Sequence, residues 1–107
     1  MIGREEAGMY AVVNHFPLKT PMDEALIEKM ENDLIPQART TPGFKAFHFI
    51  RVSDDHAVVV ALFETREALD ESTQQIAAPW FAQHVGPYVA GPPQRSVGEV
   101  VASSERG

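Results

Sequence analysis

The chain of 107 residues contains no cysteine. Disulfides, thiolate nucleophiles and cysteine-ligated metals are therefore excluded. No run approaches the roughly 18 apolar residues of a membrane-spanning helix. Lysine and arginine total 9 against 15 acidic residues, a net charge of −6, and they form no cluster. Nucleic acid and anionic membrane surfaces both need a basic face, so neither is expected as a partner. The opening Met1-Ile2-Gly3-Arg4-Glu5-Glu6 lacks the basic-then-apolar plan of a signal peptide, and a cytoplasmic location is the expectation. There is no histidine–histidine or histidine–carboxylate spacing of a metal site. There is also no G-x-G-x-x-G, no Walker loop and no nucleophile elbow. Nicotinamide, nucleotide and flavin thus have no support, and no cofactor is expected from the motifs.

What is present is an ordinary globular composition, 44% hydrophobic and 22% charged, of a length that suits one domain. So short a chain buries only about 60–70% of its unfolded surface, and a second copy would help. Residues 1–8 read as a flexible leader, 9–102 as the domain and 103–107 as a polar tail.

The most informative stretch is Ala57-Val58-Val59-Val60-Ala61-Leu62-Phe63-Glu64. In a strand, alternate residues face opposite sides. Here both sets are apolar: Val58, Val60 and Leu62 on one side, Ala57, Val59, Ala61 and Phe63 on the other. Such a strand is central and covered on both faces.

The other elements fall around it. Met9 to Phe16 reads as a first strand closed by Pro17. Thr20-Pro21-Met22-Asp23 starts a helix, with Thr20 as cap. Leu26, Met30, Leu34 and Ala38 give it an apolar stripe, and Pro36 should kink it or begin a final turn. Phe44 to Val52 is a second strand, joined to the central one through Ser53-Asp54-Asp55-His56 as a hairpin. Thr65 caps a second helix from Arg66 to about Ala78. Pro79 then separates off a short piece, Trp80 to Val85. Tyr88-Val89-Ala90 is ambiguous, and Ser96 to Ala102 is a last strand weakened by Gly98.

The order β-α-β-β-α-β is the ferredoxin-like plan, an α+β fold with a four-stranded antiparallel sheet. Two helices cover one face. Nothing encoded covers the other, so the expectation is a homodimer packed sheet to sheet.

The strand Tyr10 to Phe16, the segment Thr41-Pro42-Gly43-Phe44, the hairpin ending in Phe63-Glu64 and the element Ala77-Ala78-Pro79-Trp80-Phe81 together resemble the antibiotic biosynthesis monooxygenase (ABM) domain. The resemblance spans roughly residues 9 to 102. It implies a dimeric α/β barrel, and one fold hosts many functions. Among them are cofactor-free oxygenases of aromatic polyketides, quinol oxidases, haem-degrading oxygenases and members without known activity. Many members carry histidine where this chain has Trp80. The haem-degrading branch places an asparagine on the first strand, a tryptophan on the second helix and an axial histidine after a phenylalanine. Asn14 and His84 match two of these; the helix position near Gln74 is not aromatic.

Most of the candidate residues have both a structural and a functional reading. Asn14, polar on an apolar strand, is either bonded to nearby backbone or holds a substrate oxygen. His84 is a half-buried core histidine, a general base or an axial iron ligand. Trp80 is packing or a pocket wall for a flat ligand; Tyr88 and Phe16 would complete that wall. His48 lines either the pocket or the dimer interface. Arg51 and Glu64 could pair across the hairpin. His15 and His56 read as surface residues. The first reading is a cofactor-independent oxygenase with Asn14 binding the substrate oxygen and His84 taking the proton. The rivals are haem binding through His84 and a non-catalytic module for a small apolar ligand.

Overall fold

A computed structural model describes residues 8 to 104. The expected leader and tail lie outside the described residues except for Gly8, Ser103 and Ser104. Strand β1 is Tyr10–Pro17, β2 is Phe44–Ser53, β3 is His56–Phe63 and β4 is Gln94–Glu99. They form one antiparallel sheet in the order β2-β3-β1-β4, so β3 and β1 are central as the ferredoxin-like plan requires. The last strand begins two residues earlier and ends three earlier than the sequence suggests.

Helix α1 is built from Glu24–Lys29, a π-helical turn Met30–Leu34 and Ile35–Ala38. Helix α2 repeats the arrangement with Arg66–Ser72, a π turn Thr73–Ala77 and Ala78–His84. The two prolines explain the repetition. Inside an α-helix, proline removes a donor and its ring crowds the preceding turn. Here the Ile35 N–H reaches back to the Met30 carbonyl and the Ala78 N–H to the Thr73 carbonyl. Each five-residue ring ends just before Pro36 or Pro79, widening the helix where the ring needs space. The helices therefore run on through both prolines, and the break expected at Pro79 does not occur.

The α1 cap differs from expectation. Asp23, not Thr20, accepts the Leu26 N–H at 2.9 Å through its side chain. At α2, Thr65 caps as expected, accepting the Ala68 N–H at 3.0 Å. The α1 stripe is fully inside: Leu26, Met30, Leu34 and Ala38 are all buried. Ala57 and Val59 of β3 pack with Leu26, Met30 and Leu34 of this stripe, while Ala61 and Phe63 pack with Ala68 and Leu69 of α2.

Among the described residues no helix lies over the opposite face of the sheet. The register places Ala11, Val13 and His15 of β1 beside Leu62, Val60 and Val58 of β3, and these beside Ala46, His48 and Ile50 of β2. Gln94, Ser96 and Gly98 of β4 complete it. None of these paired positions is Asp, Glu, Lys or Arg. His15 Nδ1 lies 2.9 Å from His56 Nε2 at one end. Ile50 and Val52 are 43% and 54% exposed. The ion pair expected between Arg51 and Glu64 is not made: a β-bulge shifts the register after Phe44, Lys45 reaches Glu64 at 3.6 Å, and Arg51 donates to the Met22 carbonyl at 3.3 Å.

Gly43 has φ +91°, a left-handed conformation that costs a side-chain-bearing residue. A Cβ there would also stand 3.1 Å from the Ala68 Cβ, at the base of α2. Gly43→Ala is expected to lower stability by about 1–3 kcal/mol, read as a reduced urea midpoint with an unchanged slope.

Candidate active site

Between the helix-covered face of the sheet and the helices lies a cavity of about 530 Å3. Its floor is Val12, Asn14 and Phe16 from β1 with Val59, Ala61 and Phe63 from β3. Leu34 and Ala38 of α1 close one side. The roof comes from α2, where Ala77, Ala78 and Ala82 face it. These small side chains leave the space open; larger ones would have filled it to interior density. The mouth lies between α2 and the segment leading into β4, where Ala78, Ala82, Gly86, Ala90 and Pro93 are exposed.

The cavity is apolar with four polar exceptions: Asn14, Ser72, Thr73 and Arg95. Asn14 stands at the floor. Its Oδ1 is buried and has no hydrogen-bond partner among the described residues, so the local backbone bond allowed by the sequence is not made. A buried acceptor left unpaired costs about 1–3 kcal/mol. Lining the cavity, this oxygen is placed to accept a hydrogen bond from whatever occupies it.

Phe81 is the main aromatic wall. It stacks on Phe16 with centroids 5.4 Å apart and meets Phe47 and Phe49 edge-on. Helical phase sets this arrangement. Phe81 and Val85 are four apart and face the cavity. Trp80 and His84, also four apart, share the adjacent face and turn toward α1. The Trp80 indole N–H donates to Asp33 Oδ2 at 2.8 Å, and the His84 ring lies 4.5 Å from the indole. Tyr88, on the 3-10 turn Gly86–Tyr88, donates to Asp23 Oδ2 at 3.0 Å.

Of the six residues singled out in the sequence, only Asn14 and Phe16 line the cavity. Trp80 is buried against α1. His84 and Tyr88 line a separate cleft against Leu26, Glu28 and Lys29. His48, paired with Val60, is on the far side of the sheet. The pocket roles assigned to these four give way for one reason: position in the helix or strand turns each side chain to another face. Thr73 and Arg95 were missed. The alanines at 77, 78 and 82 were a readable signal, since a helix face of small residues opposite a strand leaves a void. Arg95 escaped because the last strand was placed one residue too late to include it.

The lining of this cavity does not fit a haem: among the described residues no His, Cys, Met or Tyr side chain lines it, and the ring of His84 packs on Trp80 outside it. Among the described residues no three His, Asp or Glu side chains gather as a metal site, and no helix is long and apolar enough to cross a membrane.

No family model matches this chain, and no curated protein matches it in sequence. Solved structures do. A protein of unknown function from Nitrosomonas europaea superposes with a TM-score of 0.74 at 16% identity, over 92% of this chain and 95% of that one. A Streptomyces coelicolor monooxygenase in complex with nanaomycin D gives 0.70 at 22% identity, over 92% and 91%. SnoaB, a cofactor-independent oxygenase from Streptomyces nogalater, gives 0.69 at 15%, over 90% and 96%, as an asparagine-to-alanine mutant. Proteins from Nitrosomonas europaea and Caulobacter crescentus that carry the antibiotic biosynthesis monooxygenase name match equally well, with TM-scores of 0.72 and 0.71. The chain has the fold of the antibiotic biosynthesis monooxygenases.

Two measurements check the site. Asn14→Leu removes an unpaired buried acceptor, so the ligand-free protein should gain about 1 kcal/mol in urea unfolding; a loss of stability would mean that Asn14 is structural. The Asp33 carboxyl is held below its ordinary 3.8, chiefly by the Trp80 N–H and then by Gln37. A depressed folded-state value means stability that is present above the unfolded value and lost as pH falls through the folded one. Asp33→Ala should therefore be less stable than the parent at pH 7, with the gap closing below about pH 4. Trp80, the only tryptophan, reports both unfolding curves by fluorescence.

Proposed function

We propose that the protein is a cofactor-independent monooxygenase acting on a small aromatic or quinol-like substrate, working as a homodimer joined through its open sheet faces. The observation that carries the activity is the unpaired Asn14 Oδ1 at the floor of an apolar cavity of about 530 Å3. The ABM fold supports it, since solved proteins of that fold include a cofactor-independent oxygenase. The volume suits a flat molecule of two or three rings. A hydroxyl on that ring system donates to Asn14 Oδ1 and is oriented by it, while the stacked pair Phe16 and Phe81 walls the rings and excludes water.

The electrons come from the substrate. In an anthrone-like substrate the acidic CH2 loses a proton, and the carbanion passes an electron to O2. The pair recombines as a hydroperoxide, which eliminates water and leaves C=O. Overall, CH2 and O2 become C=O and H2O. Among the described residues no Asp, Glu, His, Lys or Tyr side chain lines the cavity, so the proton leaves to water at the mouth and the substrate must be intrinsically acidic. A dry, apolar site then favours the charge-spreading step from carbanion to superoxide and radical.

Incubation with anthrone- and quinol-type substrates should consume O2 without added cofactor. Asn14→Ala should lower that rate about tenfold or more by losing orientation. No uptake across such a panel would remove the activity. The missing base favours one rival, a module that binds such a ligand without turning it over; it predicts saturable binding with no oxygen uptake.

The dimer rests on the uncharged sheet face. So large an apolar face is rarely left bare on a soluble monomer, and a second copy related by a two-fold axis would cover it. Ile50→Glu places a charge at an exposed position of that face without disturbing the core. It should convert a dimer to a monomer by sedimentation at micromolar concentration; a parent protein that sediments as a monomer would sink the arrangement.

A further inference from the structure

The cavity has a polarity that the proposed chemistry does not use. Among the described residues Arg95 is the one charged residue lining it, in a chain whose acidic residues outnumber its basic ones 15 to 9. It stands on β4 directly opposite Asn14 of β1, so the two side chains rise from the same face of the sheet. Asn14 is short and its oxygen stays at the floor. Arg95 is long and exposed, and its guanidinium reaches the mouth.

There it makes a single side-chain bond, a long one of 3.5 Å from Nη2 to the Thr73 hydroxyl on α2. Both ion pairs among the described residues, Lys45 with Glu64 and Arg66 with Asp70, lie elsewhere. Arg95 therefore carries a full positive charge beside an apolar cavity with no carboxylate against it. Thr73 also donates to the Leu69 carbonyl at 2.8 Å, which fixes its oxygen on the π turn of α2. The guanidinium is thereby held across the mouth from β4 to α2, leaving most of its donors free.

We infer that Arg95 is the anion-recognising residue of this site and that the substrate is an aromatic carboxylic acid: rings in the cavity, a hydroxyl on Asn14 Oδ1, and a carboxylate at the mouth on Arg95. A guanidinium matches a carboxylate with two parallel N–H donors. At the exposed mouth the carboxylate keeps part of its hydration, so its charge need not be stripped to bind. The same arrangement sets orientation, because an anionic end is rejected by the apolar floor and accepted only at the rim. This inference rests on the cavity being the ligand site proposed above, and it is tested by binding, apart from oxygen uptake.

The probes are 6-hydroxy-2-naphthoate and its methyl ester, which differ by one charge and resist oxidation by O2. Calorimetric titration of the wild-type protein should give at least about fivefold tighter binding of the acid, weakening as salt is raised. Arg95→Met keeps the length of the stem and removes the charge. It should abolish the preference while leaving ester affinity within about twofold, and Thr73→Val should reduce the preference in part. Equal affinities for acid and ester in the wild type, or a preference that survives in Arg95→Met, would overturn the inference while leaving the oxygenase reading intact. Failure of both probes to bind would overturn both. An acid preference lost in Arg95→Met, in a protein that consumes no O2 with any substrate, would uphold the inference and remove only the catalysis.

Discussion

The bond from the Trp80 indole N–H to Asp33 decides how the site is arranged. It anchors the last two turns of α2 on α1 and so fixes their rotation. A helix whose aromatic residues are adjacent in sequence can present only one of them to a given neighbour. With Trp80 committed to α1, Phe81 is turned to the sheet, and Val85 follows it one turn later. Tyr88 repeats the contact at the other end of α1, its hydroxyl on the carboxylate of Asp23 that also caps the helix. This bond and the Leu26 N–H hold the Asp23 carboxyl below its ordinary value, the N–H being the larger influence, and the carboxylate in turn raises the Tyr88 phenol. Asp33 within α1 and Asp23 at its N-cap thus hold the polar tips of Trp80 on α2 and of Tyr88 on the 3-10 turn after it.

That docking separates two surfaces that the sequence places close together. One carries Trp80, His84 and Tyr88, and it is an outer seam between helices. The other carries Phe81 and the alanines, and it roofs a cavity. The π turns before Pro36 and Pro79 serve the same end. They let each helix continue past a proline without a break, so that the segment bearing Phe81 stays in line with the cap at Thr65. An uninterrupted helix over an open sheet leaves a slot along its small residues, and the slot is closed below by β1 and β3.

The resulting chemistry is one of enclosure more than of proton transfer. The cavity offers an acceptor at its floor, aromatic faces at its sides and a cation at its mouth, with no carboxylate or imidazole between. Such a site is suited to a substrate that brings its own acidity and reducing power. Asn14 and Arg95, neighbours across β1 and β4, mark the two ends of the polarity it would recognise. The other side of the same sheet carries no Asp, Glu, Lys or Arg at its paired positions, and that is the face on which a second copy is proposed to dock.

The sequence by itself determined the topology. Apolar alternation on both sides of β3 requires a central strand, the α1 stripe requires a packed helix, and turn residues order the elements, because these periodicities are local and each has one geometric solution. Asn14 was legible for a related reason: in a strand the face of every residue follows from its neighbours, so a polar residue among apolar ones must point inward with them. Only the tertiary structure decided which face of α2 meets the sheet, because Trp80 and Phe81 compete for that place and the winner depends on Asp33, 47 residues away in the chain. It alone placed His48 on the far side, since strand parity across the sheet is set by pairing and bulges. And it alone brought Arg95 to the cavity, since a charge near a chain end declares its partner only when the edge strand takes its register.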